Sequence, residues 1–153
     1  MSHPNILEPE KSAFVIVDIQ EAFRSPIPDF EEIAVRTSVM AKGCQLLNVP
    51  IIVTEQYPKG LGKTAEEIYY SLPDNAQIIE KSAFSACGAS EFVEKLKSIG
   101  ATQIILCGIE AHICVNQTTH DLLNQGFQVH LLLDCISSRS THDKHTGIEK
   151  MKL

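Results

Sequence analysis

Five short apolar segments recur along the chain, and longer stretches between them place apolar residues on one helical face. Within each short segment hydrophobicity is nearly continuous rather than alternating, which is typical of strands in a parallel sheet that is covered on both faces. The predicted strands are Ala13–Asp18, Pro50–Thr54, Gln77–Glu80, Gln103–Cys107 and Gln128–Asp134.

The stretches between these strands carry helix signals. Asp29, with Glu32 three residues later, predicts a capping box at the start of the first helix. The side chains that follow at helical spacing and should face the sheet are Phe30, Ile33, Ala34, Thr37, Ala41, Cys44 and Leu47. Further helices are predicted from about Ser90 to Ile99, from about Ile113 to Asn124 and from about Thr141 onward.

Strands that alternate with helices predict an α/β fold. We expect one domain over residues 1–153, built as a three-layer α/β/α sandwich around a mostly parallel sheet of five strands in the Rossmann-like order 3-2-1-4-5. Ligands in this architecture bind beyond the carboxyl ends of the strands. Functional side chains should therefore lie just after strands, and the longest irregular stretch, Glu55–Lys63, follows the second strand at that edge.

Composition and charge exclude several classes of function for this chain. The 153 residues include 13 Lys and Arg against 19 Asp and Glu, a net charge of −6, with no basic run to neutralise nucleic-acid phosphates. No apolar stretch approaches the roughly 20 residues of a membrane helix, and the polar start lacks the pattern of a signal peptide. We therefore expect a cytoplasmic protein that acts on a small molecule, without nucleic acid or membrane. Five widely spaced cysteines predict reduced thiols.

Three candidate functional residues fall at predicted strand ends. Asp18 closes the first strand, Lys81 follows the third and Cys114 follows the fourth. Each has an ordinary structural explanation: an acid that caps a turn, a solvated lysine and a small core residue. Together at one edge of the sheet, however, they supply a base, a cation and a nucleophile.

The chemistry of these three side chains is complementary. A cysteine thiol, with a pKa of about 8.5, is mostly protonated at neutral pH. Asp18 can remove the proton, and the Lys81 ammonium lowers the free energy of the thiolate. Cys114 also falls in the first turn of a predicted helix, where backbone N–H groups favour an anion. The residues therefore predict a reactive thiol whose pKa is lowered.

One glycine-rich segment imitates a phosphate-binding P-loop. The sequence GLGKT, at Gly60–Thr64, lies between a predicted strand and a helix. The P-loop spacing requires a glycine where this chain has Tyr57, and the next residue, Pro58, has no N–H to offer a phosphate. The segment is therefore predicted not to bind nucleotides.

Four segments carry a family resemblance: TEQYPKGLGKT, EKSAFSA, CGIEAHICV and DCISSRS. From Ala13 to its end, the chain resembles the isochorismatase-like cysteine hydrolases, the superfamily that includes nicotinamidases and carbamoyl-amide hydrolases. Within it, the segments are most similar to the short isochorismatase domain-containing group, some members of which carry a mitochondrial-ribonuclease label. The resemblance implies a hydrolase, and family analogy adds mitochondrial association as an alternative to the cytoplasm.

The resemblance also implies the roles of individual residues. Asp18, Lys81 and Cys114 would form a catalytic triad, in which Cys114 attacks the carbonyl carbon of an amide or carbamoyl amide and forms a thioester-type intermediate. A cis peptide is implied between Ile109 and Glu110, and it would aim the Glu110 and Cys114 amides into an oxyanion hole. The implied pocket residues are Phe23, Tyr57, Phe84 and His112; for the two phenylalanines, core packing is an equal alternative.

Departures from the family pattern limit the expected activity. Nicotinamidases bind a metal through an Asp/His set after the second strand, whereas EQYPKGLGK has no histidine, so we expect no metal and no cofactor. Isochorismatases of siderophore pathways lack the cysteine nucleophile, so Cys114 disfavours isochorismate hydrolysis. The chain ends at Leu153 within the last predicted helix, whereas relatives continue into a sixth strand at the sheet edge, which this chain is expected to lack.

Three functions remain open from the sequence. The first is a cysteine hydrolase that acts on a small carbonyl compound. The second is a catalytically idle family member that binds a metabolite or a protein through the same cleft, and nothing in the residues excludes it. The third, RNA cleavage, conflicts with the acidic chain and with chemistry directed at carbonyl carbon rather than phosphorus. A homo-oligomer, dimer or tetramer, is also expected.

Overall fold

A parallel sheet of five strands forms the centre of the molecule, in a computed structural model that describes residues 2–153. The strands are β1 (Ser12–Val17), β2 (Ile51–Gln56), β3 (Gln77–Lys81), β4 (Gln103–Ile109) and β5 (Gln128–Ser137). Their order is β3-β2-β1-β4-β5, and every neighbouring pair is parallel. The predicted fold class and strand order are therefore confirmed.

Helices cover the sheet in the connections between strands and after the last strand. They are α1 (Phe30–Leu46), α2 (Pro58–Leu61), α3 (Glu66–Tyr69), α4 (Ser90–Ser98), α5 (Asn116–Asn124) and α6 (Thr141–Met151). A π-helical turn, Ala111–Val115, joins β4 to α5. The central strand β1 is completely buried along its length, as expected for a strand with helices on both faces. No helix within residues 2–153 combines the length and the apolar character needed to cross a bilayer.

The strands extend further toward their carboxyl ends than the apolar pattern predicts. The ends of β2, β4 and β5 lie at Gln56, Ile109 and Ser137, two or three residues beyond the predicted ends. Residues with polar side chains still pair with the neighbouring strand, because the hydrogen bonds of a sheet use only main-chain N–H and C=O groups. Glu55 and Gln56 therefore belong to β2, and Glu55–Lys63 is not irregular throughout.

Two details of the predicted first helix are wrong. Asp29 stands at the N-cap position, but its side chain makes no capping hydrogen bond. Its carboxylate instead accepts a hydrogen bond from the Ser137 hydroxyl and lies 3.6 Å from Lys144 Nζ. Leu47 is exposed rather than packed on the sheet, because α1 ends one residue before it. Contacts from β5 and α6 thus override the local capping signal.

A charge cluster beside α1 gives a stability prediction. Arg24 donates to both carboxylate oxygens of Glu21 and of Glu67 at 2.8–3.0 Å, and these hydrogen bonds lower the pKa of each acid. Carboxylates with lowered pKa values stabilise the folded state above their ordinary pKa and lose that contribution as pH falls. Because the cluster is partly exposed, we expect Arg24→Met to lower the free energy of unfolding by about 1 kcal/mol at pH 7.

Urea denaturation at pH 7 and pH 3.5 measures this effect. The difference between Arg24→Met and the unchanged protein should shrink at the lower pH. Arg36→Met is the control, because Arg36 pairs with Glu32 only at 3.8 Å on an exposed surface. A destabilisation that is the same at both pH values would assign the role of Arg24 to its packing over the Phe30 ring, 4.9 Å away.

Candidate active site

Asp18, Lys81 and Cys114 meet at the carboxyl edge of the sheet. Asp18 directly follows β1, Lys81 ends β3 and Cys114 lies in the turn after β4. The Asp18 and Lys81 side chains are 1% and 0% exposed, and Asp18 Oδ2 lies 2.7 Å from Lys81 Nζ. Both charges shift the pKa of the Cys114 thiol, which is itself buried. The structure thus brings the three candidate residues together.

The backbone around Asp18 is unusual. Its φ of 55° lies in the left-handed region, which short polar residues such as Asp tolerate better than most. Its amide donates to Thr54 O at 3.1 Å, and its Oδ1 accepts from Thr54 Oγ1 at 2.7 Å. Thr54 on β2 therefore fixes both the main chain and one carboxylate oxygen of Asp18. The second oxygen faces Lys81.

A glycine on β4 allows β1 and β4 to approach closely beside Asp18. Gly108 has a φ of 138°, and a Cβ there would lie 2.2 Å from the carbonyl oxygen of Val17. Only glycine accommodates both the backbone angle and the contact. The position of Gly108 is therefore dictated by the junction between Val17 and Asp18.

The electrostatics of Cys114 differ from the sequence prediction. The pKa of the thiol is raised to about 12: burial is the largest cause, the Asp18 charge acts in the same direction, and Lys81 offsets the two only in part. One ammonium is shared between a carboxylate and the thiol, so it cannot offset both the lost solvation and the neighbouring negative charge. The prediction of a lowered pKa is wrong: in the resting site Cys114 is a protonated thiol beside a carboxylate.

Acidity does not set Cys114 apart from the other cysteines. All five thiols are free, and burial raises the pKa of Cys44, Cys87 and Cys135 to about 11. Burial also raises the pKa of Cys107, which is fully buried, well above its usual range. What distinguishes Cys114 is its position beside Asp18 and Lys81.

The turn that carries Cys114 is π-helical rather than the first turn of an α-helix. It follows a cis peptide bond between Ile109 and Glu110. The Glu110 carboxylate, 4% exposed, accepts from the main-chain N and the Nε of Arg139 at 3.0 Å and from Nη2 at 3.2 Å. Ser138 Oγ accepts from the Ala111 amide at 3.0 Å. The residues that follow β5 thus brace the start of the segment that leads to Cys114.

The last helix also supports this turn. Gly147 of α6 packs so closely that a Cβ would lie 2.8 Å from the Ala111 carbonyl group and from His112 Cα. Asn116 Nδ2 donates to Gly147 O at 3.4 Å. The predicted helix from Ile113 to Asn124 is therefore two structures: a π turn held by α6 and by the residues after β5, and the regular helix α5.

The four implied pocket residues differ in their surroundings. Phe23 packs partly buried against the core, whereas Tyr57 and Phe84 are 61% and 53% exposed. His112 is partly exposed, with Nδ1 3.0 Å from Ser138 Oγ. A cavity of about 420 Å³ at this edge contacts Tyr57 and Lys81, but its lining includes none of the other three and neither Asp18 nor Cys114. Phe23 thus has contacts with the core, whereas Phe84 is too exposed for core packing.

The glycine-rich segment has a structural role. Pro58–Leu61 form the short helix α2, and Thr64 donates from its amide and its hydroxyl to Glu55 Oε2 at 2.6 and 2.7 Å. A buried carboxylate thus occupies the donors of Thr64, which agrees with the rejection of a P-loop. Within the described chain, no three His, Cys, Asp or Glu side chains are placed to share a metal ion.

Sequence reasoning missed the residues that contact Asp18 and Lys81 or that support these contacts and the turn carrying Cys114. They are Gln20, Thr54, Gln56, Ser138 and Arg139. Each lies within or after the carboxyl end of a strand, and all but Gln20 fall in segments that carried the family resemblance. Proximity to strand ends was therefore the available signal, but the residue types there did not indicate which partner each side chain contacts.

Comparisons with known proteins agree with the fold and the motifs. The isochorismatase domain model matches residues 12–153. Isochorismatase family protein 1A of Dictyostelium discoideum is 40% identical over 150 residues, which cover 95% of this chain and 72% of that protein. The structure of MAR1 ribonuclease from Caenorhabditis elegans has 42% identity and a TM-score of 0.91, covering 95% of this chain and 74% of that one.

A more distant structure shares the fold alone. The YcaC gene product of Escherichia coli, described as an octameric hydrolase of unknown specificity, has 22% identity and a TM-score of 0.89. The match covers 99% of this chain and 76% of that one. With a family model that spans nearly the whole chain and relatives of about 40% identity, this chain belongs to the isochorismatase family and has its hydrolase fold.

Proposed function

We propose that this protein is a cysteine hydrolase that cleaves the C–N bond of a small amide or carbamoyl amide. The observation that carries the proposal is the convergence of Cys114, Asp18 and Lys81 at the carboxyl ends of three strands, with a 2.7 Å contact between the two charges. A carboxylate and an ammonium beside a thiol supply a base and a cation, which can activate a cysteine nucleophile.

The raised pKa of the thiol gives Asp18 the role of base. A thiol with a pKa of about 12 supplies little thiolate at neutral pH, so attack must be coupled to proton removal. Cys114 Sγ forms a bond to the carbonyl carbon while its proton passes to Asp18. As the C–N bond breaks, Asp18 returns this proton to the departing nitrogen, and a thioester-type intermediate remains on Cys114.

Water completes the reaction at the same carbonyl carbon. Asp18 accepts a proton as water attacks, the C–S bond breaks, and the proton returns to the Cys114 sulfur. Lys81 remains protonated throughout and stabilises the negative charge that moves between the sulfur and Asp18. The Glu110 and Cys114 amides would bind the carbonyl oxygen, and the contacts of Arg139 with Glu110 support a fixed position for that turn.

A catalytically idle, metabolite-binding protein is the second candidate. The high pKa of Cys114 favours it, because an unassisted thiol of this kind is a weak nucleophile. RNA cleavage has less support: the name of the Caenorhabditis elegans neighbour refers to a ribonuclease, but this chain carries a net charge of −6. A cytoplasmic location and a homo-oligomeric assembly belong to the proposal as well, the latter by analogy with the octameric neighbour.

The proposal predicts a covalent intermediate on one cysteine. When the protein is incubated with a panel of small primary amides and carbamoyl amides, we expect ammonia release and, after acid quenching, an acyl adduct on Cys114 by peptide mass spectrometry. Cys114→Ala should abolish the adduct and reduce turnover by at least about 10³-fold.

Cys87→Ala is the matched control, since Cys87 is another free thiol that lies outside the triad. It should retain the adduct and the turnover. Turnover that survives in Cys114→Ala would refute the hydrolase proposal. Binding of an amide at this edge without ammonia release or an adduct would support the idle protein instead.

A further inference from the structure

The Lys81 ammonium has more oxygen neighbours than protons. Its Nζ lies 2.7 Å from Gln56 Oε1, 2.8 Å from Phe84 O and 3.0 Å from Ala83 O, each in hydrogen-bond geometry. Asp18 Oδ2 is equally close, at 2.7 Å, yet no hydrogen-bond donor of residues 2–153 is directed at it. Because an ammonium has three N–H groups, the Asp18–Lys81 contact is a charge pair without a directed proton.

The amide of Gln56 has only one orientation that fits these contacts. Its Nε2 donates to Ser82 O at 2.9 Å, so its Oε1 must face the ammonium. The main chain of Gln56 is held in turn by Gln20, which accepts from Gln56 N at 2.7 Å and donates to Gln56 O at 2.9 Å. A flipped Gln56 amide would set N–H groups against the ammonium, a contact without any acceptor.

We infer that Gln56 is a positioning residue for the proposed triad: its amide oxygen binds one Lys81 proton and leaves Asp18 Oδ2 open to accept the proton of Cys114. The inference rests on the proposed function, in which Asp18 is the base. Two main-chain carbonyl groups bind the other Lys81 protons, so Gln56 is the one side chain in this set that a substitution can change. A proton directed at Asp18 would form a charge-assisted hydrogen bond that competes with the thiol.

Substitutions of opposite character at Gln56 test this role. In Gln56→Leu, the released Lys81 proton turns toward Asp18 and the sulfur, which favours the thiolate. In Gln56→Glu, a second carboxylate competes for Lys81, which disfavours the thiolate. We therefore expect iodoacetamide to alkylate Cys114 about three- to tenfold faster in Gln56→Leu and three- to tenfold slower in Gln56→Glu at pH 8.5, since each pKa unit changes the thiolate fraction tenfold.

The experiment uses peptide mass spectrometry on the folded full chain, with Cys87 as the reference thiol in each variant. Gln45→Leu and Gln45→Glu are matched controls, because Gln45 is exposed on α1 and the second control adds the same charge. Both should leave the Cys114 rate unchanged. If Gln56→Leu does not fold, the slowing in Gln56→Glu, which keeps the side-chain shape, still decides the question.

A change in the same direction in both Gln56 variants, or a change below twofold in either, would reduce Gln56 to a structural residue and overturn the inference. Failure of the proposed function gives a different result. In that case no amide forms an acyl adduct, while the opposite shifts of the Cys114 rate persist.

Discussion

Asp18→Asn should eliminate turnover and at the same time make Cys114 easier to alkylate. The carboxamide keeps the shape of the side chain but cannot accept the thiol proton, so turnover should fall by at least about 10³-fold. Asp18 raises the pKa of Cys114, whereas Lys81 lowers it. Removal of the Asp18 charge leaves Lys81 alone beside the sulfur, and the Cys114 pKa should fall below about 12.

Two assays on the same protein separate these effects. Ammonia release reports turnover, and iodoacetamide labelling of Cys114 at pH 8.5 reports the thiolate. A general loss of structure would reduce the first and expose every cysteine in the second. A base of the proposed kind instead predicts loss of turnover with selective acceleration at Cys114. Asp134→Asn, an exposed change on β5, should alter neither quantity.

A double variant is needed because Asp18→Asn alone should also destabilise the folded protein. Asp18→Asn leaves the buried Lys81 ammonium without its counter-ion, which costs on the order of 3–5 kcal/mol when a buried pair is broken. Asp18→Asn combined with Lys81→Met removes both charges and should recover much of this loss, yet it should remain inactive. Normal turnover in either folded variant would disprove the role of Asp18 as the base.

Gly147→Ala should destabilise the protein, although alanine is the better helix former. A Cβ at this position would lie 2.8 Å from main-chain atoms of Ala111 and His112, and backbone cannot move aside as a flexible side chain can. We expect the free energy of unfolding to fall by about 2 kcal/mol, because overpacking outweighs a propensity gain of about 1 kcal/mol. The contacted segment carries Cys114, so turnover should fall by at least about tenfold as well.

Gly43→Ala is the matched control, because Gly43 also lies within a helix and a Cβ there has nothing within 4 Å. This change should raise the free energy of unfolding by about 0.5–1 kcal/mol and leave turnover unchanged. Urea denaturation and ammonia release measure both variants. If Gly147→Ala were as stable as Gly43→Ala, the contact between α6 and the turn would not be tight, and its support of Cys114 would be disproved.

The fold could be predicted from the sequence because it depends on burial along the chain. Continuous apolar segments such as Ala13–Val17 and Gln103–Cys107 are unambiguous, since a strand covered on both faces needs apolar side chains at every position. Strand ends could not be placed in the same way. Gln56 and Ser137 pair through their main chains, and the hydrophobic pattern does not report main-chain pairing.

Some properties of the candidate site could likewise be predicted from the sequence, and others could not. The sequence by itself determined the family, the fold class and the placement of Asp18, Lys81 and Cys114 at strand ends, because parallel strands carry whatever follows them to one edge. Only the tertiary structure decided the pKa of Cys114, the hydrogen-bond acceptors of Lys81, and the contacts by which Gly147 and Arg139 support the turn that carries Cys114. Those properties depend on burial and on distances between groups far apart in the chain, and side-chain type and spacing do not report either one.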